Sequence, residues 1–100
     1  MRGRPRKTRL ILQEPQIRQF SPRGRIGRPG SIGIKFEEVE AIRLSDHLGL
    51  KQRDAARFMG VSQQTFSRVL KKGRKCLAAA LIKGQIIDID GGDFRVEKGL

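Results

Sequence analysis

The chain of 100 residues has very few of the side chains that build metal centres, disulfides or aromatic stacking surfaces. It contains one cysteine (Cys76), one histidine (His47), no tryptophan and no tyrosine. A single cysteine excludes an internal disulfide, and one cysteine with one histidine gives too few ligands for a Cys/His zinc site. All five aromatic residues are phenylalanine, which leaves no clear platform for stacking single-stranded RNA. We therefore expect neither a metal nor a cofactor.

Long apolar runs are also absent. No stretch approaches the roughly 20 apolar residues that a membrane span needs, and the basic start leads into no apolar segment of the kind found in signal peptides. These features predict a cytoplasmic protein. The sequence shows no phosphate-binding glycine loop of Walker type and no carboxylate pair in an apolar setting, so we expect that the protein is not an enzyme.

Acidic residues are scarce, and their scarcity is uneven along the chain. There are 22 Lys and Arg against 10 Asp and Glu, a formal net charge of +12. Residues 1–35 hold ten of the cations and one of the acids. A strongly basic segment on a nearly balanced body indicates a polyanionic partner. A membrane surface would require an amphipathic basic helix, which is unlike residues 1–35 because they contain all four prolines.

The chain divides into three segments that differ in composition and in periodicity. Residues 1–35 predict a basic, largely irregular arm or extended segment, within which Gln16–Phe20 alternates enough for a short strand. Residues 36–84 have helical periodicity. Residues 85–100 predict a β-hairpin, since Ile87 and Ile89 alternate with acids before a Gly91-Gly92 turn. The fold class is therefore mainly α, and strand Gln16–Phe20 is the expected partner of the hairpin in a small three-stranded sheet.

Three helices are predicted within residues 36–84. The first begins at Phe36 with acids that complement its dipole and stops at Gly49. The second covers roughly Gln52–Met59. The third is long: Ser62 is its predicted N-cap, and Gly84 ends it. Its inward stripe is predicted to contain Phe66, Val69, Leu70, Gly73, Leu77, Ala80 and Leu81.

The stretch QRDAARFMGVSQQTFSRVL, residues 52–70, has the spacing of a helix-turn-helix. Counted from its first residue, Ala56 is fifth, Gly60 ninth, Phe66 fifteenth and Val69 eighteenth. The alanine must be small because two helices cross there, and the glycine permits a sharp turn that sets the helices at roughly 90–120°. An ordinary pair of packed helices would share the glycine turn but would not explain the polar face that follows.

The outer face of the third helix predicts contact with DNA. In helix-turn-helix proteins the second helix lies in the major groove, and its first residues meet base edges. Glutamine suits adenine and arginine suits guanine, while later cations suit phosphates. The predicted base-contacting residues are Gln63, Gln64, Ser67 and Arg68, of which Arg68 has a phosphate as its alternative target. The predicted phosphate-contacting residues are Ser62, Thr65, Lys71, Lys72, Arg74 and Lys75.

The first seven residues, MRGRPRK, form a predicted minor-groove arm with four cations, Arg2, Arg4, Arg6 and Lys7. Arginine-bearing N-terminal arms enter narrow A·T-rich minor grooves beside a recognition helix. The alternative is a set of nonspecific phosphate contacts. The arm precedes the first helix by about 30 residues in sequence, so its reach depends on how the intervening chain folds.

The helical region and the stretches RPRK and FSPRG resemble an uncharacterised prokaryotic family known as domain of unknown function 134, whose members are small predicted DNA-binding proteins. The helix-turn-helix is similar to region 4 of sigma-70 factors, which binds promoters. The family resemblance implies DNA binding and little else, and the regulated genes do not follow from it. From the helix-turn-helix and its polar outer face we expect sequence-specific binding of double-stranded DNA by a transcriptional regulator. Family members commonly have a cysteine where this chain has Thr8.

Two other functions and a dimer stay open. The charge also fits a non-specific architectural protein of nucleoid or RNA, and the acids of the first helix, Glu37, Glu38 and Glu40, would fit a sigma-like module that docks on RNA polymerase. A homodimer would place two recognition helices in successive major grooves. Its candidate surfaces are the apolar segment 77–82 and the tail, both of which the monomer's own core would otherwise use.

Overall fold

The computed structural model describes residues 8–24, 27–92 and 94–96. It contains three α-helices and five short strands in this part of the chain. The helices are α1 (Phe36–Ile42), α2 (Gln52–Phe58) and α3 (Gln63–Lys83), and the strands are β1 (Arg9–Ile11), β2 (Gln19–Phe20), β3 (Ser31–Ile34), β4 (Ile86–Ile89) and β5 (Phe94–Val96). The prediction of a mainly α protein with few strands is confirmed. Among the described residues, no helix combines the length and the apolar character that a bilayer crossing requires.

The strands form two small sheets that join the two ends of the chain. In the three-stranded sheet β4 is central, antiparallel to β2 with Ile87 opposite Phe20, and parallel to β3 with Ile89 opposite Ile34. In the second sheet β1 and β5 run parallel. The predicted pairing of Gln16–Phe20 with the tail is confirmed, although the strand is shorter. The segment predicted as a largely irregular arm therefore supplies three strands.

The predicted C-terminal hairpin is wrong. β4 and β5 belong to different sheets, and each pairs with strands from the first 34 residues instead of with the other. The backbone after β4 continues to bond the β3–α1 segment: Asp90 N–H donates to the Ile34 carbonyl and Phe36 N–H to the Gly91 carbonyl. An isolated hairpin is marginal in water, whereas these pairings bury Ile89 against Ile34 and Phe36.

Two apolar clusters hold the elements together. The first joins α1, α2 and α3 through buried residues that include Ala56 and Phe66, as the sequence predicts. The second joins the sheets to α1 through Ile11, Ile34, Phe36 and Ile89. Because Ile11 is fully buried in the second cluster, the N-terminal segment is part of the folded body from β1 onward.

Helix α1 departs from the prediction at its end. It continues as a π turn, Arg43–His47, in which Leu48 N–H donates to the Arg43 carbonyl at 2.8 Å, and Gly49 then ends the helix with a φ of +77°. A π turn inserts one extra residue into a helix and so changes which side chains face the neighbours. Here the π turn follows the part of α1 that packs on α3, and the π turn places Asp46 beside α3.

The acids of α1 are buried: Glu37 and Glu38 lie in its first turn, where their charge suits the helix dipole, whereas Glu40 lies beyond that turn. Glu38 accepts a hydrogen bond from Lys35 N–H at 2.9 Å and so caps its own helix. Glu40, only 2 % exposed, accepts from Leu12 N–H at 2.8 Å and from two nitrogens of Arg43 at 2.8 and 2.9 Å. A buried carboxylate needs such partners. Glu40 therefore ties the segment after β1 to the first helix.

Helix α3 confirms most of its predicted inward stripe. Phe66, Leu70, Gly73 and Ala80 are buried, but Leu81 is 81 % exposed and was wrongly assigned to the stripe. Each helical residue is rotated by about 100° from the one before, so the residue after buried Ala80 is turned away from the core. At Gly73 a β-carbon would lie 3.1 Å from Glu38 Cβ and from Ile42 Cδ1, so the missing side chain permits close packing of α1 on α3.

Candidate nucleic-acid interface

Four residues, 59–62, connect α2 to α3. Val61 N–H donates to the Ala56 carbonyl at 3.0 Å and Gly60 N–H to the Arg57 carbonyl at 3.1 Å, the two bonds of a Schellman ending. Gly60 has a φ of +67°, a left-handed conformation that favours glycine. The turn predicted at Gly60 is therefore confirmed.

Ser62 caps the N-terminus of α3, as predicted. Its Oγ accepts a hydrogen bond from Thr65 N–H at 3.1 Å and donates to Thr65 Oγ1 at 3.0 Å. The two hydroxyls are thus linked, and the Thr65 hydroxyl proton is left over to donate outward. The first turn of α3 begins at a defined residue, which fixes the rotation of every side chain that follows.

The polar face of α3 is exposed opposite its buried stripe. All four predicted base-contacting residues are exposed, and Thr65 is half-buried. Helical geometry places Gln64, Arg68, Lys71 and Lys75 along one line, with Gln63, Ser67 and Arg74 on its flank. The exposed surface of α3 therefore has neutral side chains nearer the N-terminus and cations beyond them, whereas Ser62 is the cap residue before the helix and Thr65 is half-buried.

One of these cations already has a carboxylate partner. Arg74 Nε donates to Asp46 Oδ2 at 3.0 Å and Arg74 Nη2 to Asp46 Oδ1 at 2.6 Å, with the two side chains 52 % and 39 % exposed. The guanidinium lowers the pKa of Asp46, and the carboxylate raises the pKa of Arg74, chiefly through these hydrogen bonds. No local pattern in the sequence indicates this pair, because its members are 28 residues apart.

Strand β1 lies against the turn between α2 and α3. Leu10 N–H donates to the Met59 carbonyl at 3.0 Å, and a β-carbon on Gly60 would stand 3.4 Å from Leu10 Cδ1. Met59 is the C-cap residue directly after α2, where the backbone carbonyl has no partner within the helix. No local pattern predicts this contact, because a three-residue strand in a basic, proline-containing segment is too short to show a recognisable periodicity.

The remaining predicted residues have separate positions. The arm residues Arg2, Arg4, Arg6 and Lys7 lie outside the residues that the structure describes. Cys76 is half-buried on α3, and its pKa is raised by burial and by the Glu38 carboxylate, against the opposite effect of Lys72 and Lys75. This shift disfavours the reactive thiolate. Within residues 8–24, 27–92 and 94–96, no three His, Cys, Asp or Glu side chains form a group that would hold a metal.

The predicted dimer segment 77–82 is partly core and partly surface. Leu77 packs against the second cluster and Ala80 is buried, whereas Leu81 and Ile82 are 81 % and 82 % exposed. Leu77, Ala80 and Leu81 line a groove together with Phe20. The homodimer stays a prediction.

The comparison with known proteins places the chain in a family. The family model described as "Protein of unknown function DUF134" matches residues 1–97. The chain belongs to this family.

Relatives of this DUF134 chain come from several organisms. A "UPF0251 protein" of Methanococcus maripaludis strain C5 is 43 % identical over 97 % of this chain and 75 % of the relative. A UPF0251 protein of Halothermothrix orenii is 45 % identical over 96 % of this chain and 72 % of the relative. One from Methanothermobacter thermautotrophicus is 44 % identical over 95 % of this chain and half of the relative. No solved structure gives a significant match.

Proposed function

We propose that this DUF134 chain binds double-stranded DNA at specific sequences as a transcriptional regulator. In this proposal α2, the turn 59–62 and α3 act as a helix-turn-helix, and α3 enters the major groove. The observation that carries the proposal is the exposed polar face of α3, which starts at a capped N-terminus directly after a glycine turn. A helix presented in this way can insert its first two turns between the phosphate backbones.

The first two turns of α3 have the chemistry for reading base edges. Gln63 and Gln64 each offer a paired acceptor and donor that match adenine, and Arg68 offers two donors that match guanine O6 and N7. Ser67 donates or accepts equally well. All four side chains are exposed, so no buried contact has to break before they meet DNA.

The later cations supply affinity and register. Lys71, Lys72 and Lys75 are exposed on the next two turns, and Arg74 lies beside them. Contacts of this kind release counterions and carry no sequence information. The net charge of +12 adds long-range attraction to DNA.

The non-specific architectural protein is supported by the same net charge, and it is the second candidate. The polymerase-docking module is less well supported, because Glu37, Glu38 and Glu40 are buried and therefore do not form an exposed acidic surface. A specificity ratio separates the first two functions: a regulator prefers its own sequence, whereas an architectural protein binds all sequences about equally.

Selection of bound fragments from a random DNA pool tests the proposal. A regulator is expected to enrich one sequence, and fluorescence anisotropy of the enriched and a scrambled duplex is expected to give at least a 10³-fold difference in affinity. A palindrome would indicate a dimer, and a single half-site a monomer. Absence of any enrichment, with equal binding to random DNA and structured RNA, would overturn the proposal in favour of an architectural protein.

Two substitutions on α3 separate base contacts from phosphate contacts. Arg68→Ala is expected to cost about 1–3 kcal/mol on the enriched site and to relax the preference at one base pair. Lys72→Ala is expected to weaken binding to all sequences alike and to reduce the salt slope by about one unit. Lys83→Ala, at the far end of the same helix, serves as the matched control. Identical behaviour of the two variants on specific and random DNA would contradict this division.

A further inference from the structure

Strands β1 and β5 form a two-stranded ribbon beside the turn that precedes α3. Leu10 N–H donates to the Met59 carbonyl, and a β-carbon on Gly60 would lie 3.4 Å from Leu10 Cδ1. The backbone groups of successive strand residues point to opposite edges of the strand, so β1 contacts the turn along one edge and pairs with β5 along the other. The backbone order is therefore turn, β1, β5, and the β1–β5 ribbon extends sideways from the turn.

The two faces of the β1–β5 ribbon differ in chemistry. Ile11 and Phe94 face the second apolar cluster, where Ile11 is fully buried and the ring centroid of Phe94 lies 4.6 Å from that of Phe36. Successive side chains of a strand point to opposite faces, and Leu10 is paired in register with Arg95. Leu10 and Arg95 therefore share the outer face of the ribbon, which is turned away from the cluster.

Arg95 is exposed on this outer face, in the strand that is farther from the turn. Neighbouring strands are about 4.7–4.9 Å apart, so two such spacings place the Arg95 backbone about 10 Å from that of Met59. The turn ends at Ser62, which caps α3. Arg95 thus lies beside the N-terminal end of α3, although the two are far apart in the sequence.

We propose that the β1–β5 ribbon is a second DNA-contacting element, in which Arg95 binds a backbone phosphate that borders the major groove occupied by α3. This inference rests on the proposed function. The major groove is about 12 Å wide, a distance that the ribbon and the extended Arg95 side chain together span from the turn. A guanidinium offers a phosphate two parallel N–H donors. The contact adds affinity and fixes the register of α3 on the duplex without reading sequence.

Arg95→Gln tests the contact, because it removes the charge and leaves the backbone pairing of β5 in place. We expect affinity to fall about fivefold at about 0.15 M salt on the enriched and the scrambled duplex alike, and the salt slope to become shallower by about 0.9. Arg28→Gln is the matched control: it makes the same charge change at an exposed residue near Gly30, whose carbonyl accepts from Ile86 N–H after the far end of α3. Equal losses in the two variants would overturn the contact, because net charge alone would then explain them, and so would unchanged binding by Arg95→Gln.

Arg95→Lys covers the case in which the glutamine variant fails to fold. It keeps the charge but lacks the two parallel donors, so its salt slope is expected to equal that of the parent chain while its affinity is somewhat lower. A salt slope that is shallower than that of the parent by about 0.9 would overturn the contact, because a charged side chain at this position would then not reach the phosphate.

Ethylation interference locates the phosphate. An ethyl group on a phosphate removes its charge and blocks its contact, so each phosphate that the protein needs gives a signal. Arg95→Gln is expected to lose the signal at one or two adjacent phosphates and to keep the others, whereas Lys72→Ala is expected to lose a different phosphate. An unchanged pattern for Arg95→Gln, or loss at the phosphate that Lys72→Ala also loses, would overturn the placement of the ribbon.

The two proposals fail in different ways. If the selection enriches no sequence and Arg68→Ala has no effect on any duplex, the proposed function fails and the phosphate contact of the ribbon fails with it. If a sequence is enriched and Arg68→Ala relaxes it, but Arg95→Gln behaves as Arg28→Gln does, only the contact of the β1–β5 ribbon is overturned.

Discussion

Arg74 and Asp46 join the middle of α3 to the π turn after α1 through two hydrogen bonds of 3.0 and 2.6 Å. The pair uses two of the five N–H donors of the guanidinium, and three are left. One of the cations on the proposed DNA-contacting face is thus paired with an acid in the free protein. Asp46 therefore competes with any phosphate that approaches Arg74, and its own negative charge opposes that approach.

Replacing Asp46 by asparagine is expected to tighten DNA binding. The substitution removes the competing carboxylate, so Arg74 is free to contact a phosphate, and log K should fall more steeply with log salt by about 0.9. Fluorescence anisotropy on specific and random duplexes at several salt concentrations measures both effects, which we expect to be similar on the two duplexes. Asp88→Asn, which makes the same charge change in β4, is the control. Weaker binding by Asp46→Asn would show instead that Asp46 orients Arg74 for the phosphate.

The same pair gives a pH dependence of stability. Its hydrogen bonds lower the folded-state pKa of Asp46 from the ordinary value of 3.8. A lowered pKa means that the stabilisation is fully present above the unfolded-state pKa and is lost as the pH falls through the folded-state pKa. The difference in thermal midpoint between the parent chain and Asp46→Asn should therefore be constant from pH 7 to about pH 5. It should shrink below pH 4. A difference that grows on acidification would contradict this assignment.

The helices were predictable because their signals are local. Ser62, Gly60 and Gly84 set the ends of elements through their own backbone and capping chemistry, and each was assigned correctly from a few neighbouring residues. The tail was misread because alternation reveals a strand without revealing its partner. β4 pairs with β2 and β3, which lie more than 50 residues earlier in the sequence, and no pattern within residues 85–96 indicates these partners.

In the candidate site, too, features with local signals were predictable and features that depend on distant residues were not. The polar face of α3 can be predicted from helical periodicity, and its side chains are exposed in the structure as that periodicity predicts. The contact of Leu10 with the turn and the pair of Asp46 with Arg74 depend on chain segments that meet only in the folded protein. The burial of Glu40 was also not predictable, because its partner Leu12 N–H lies 28 residues away in the sequence.

Substitution of Gly73 by alanine is expected to destabilise the fold. Alanine has the better helix propensity, by about 1 kcal/mol, but its β-carbon would lie 3.1 Å from Glu38 Cβ and 3.2 Å from the Glu38 carbonyl oxygen. Overpacking of this kind costs about 1–3 kcal/mol, and because Glu38 Cβ and the Glu38 carbonyl oxygen are fixed to the backbone of α1, relief would require α1 itself to shift. We expect a net loss of about 1 kcal/mol in urea unfolding. Ala78→Gly, at an exposed site on the same helix, calibrates the propensity, and a more stable Gly73→Ala would show that α1 shifts easily.

Ser62 allows stability and DNA binding to be separated at one residue. Ser62→Ala removes the acceptor for Thr65 N–H and is expected to cost about 1 kcal/mol. Ser62→Asp keeps a capping oxygen and suits the positive end of the helix dipole, so its stability should equal or exceed that of the parent chain. The same carboxylate would repel a phosphate at the start of α3, so DNA affinity should fall by at least about tenfold, by analogy with the cost of like charges at an interface.

Ser62→Asn keeps the cap without the charge and should preserve both properties. If Ser62→Asp folds as expected and binds DNA as tightly as Ser62→Asn does, the N-terminus of α3 does not approach the phosphate backbone.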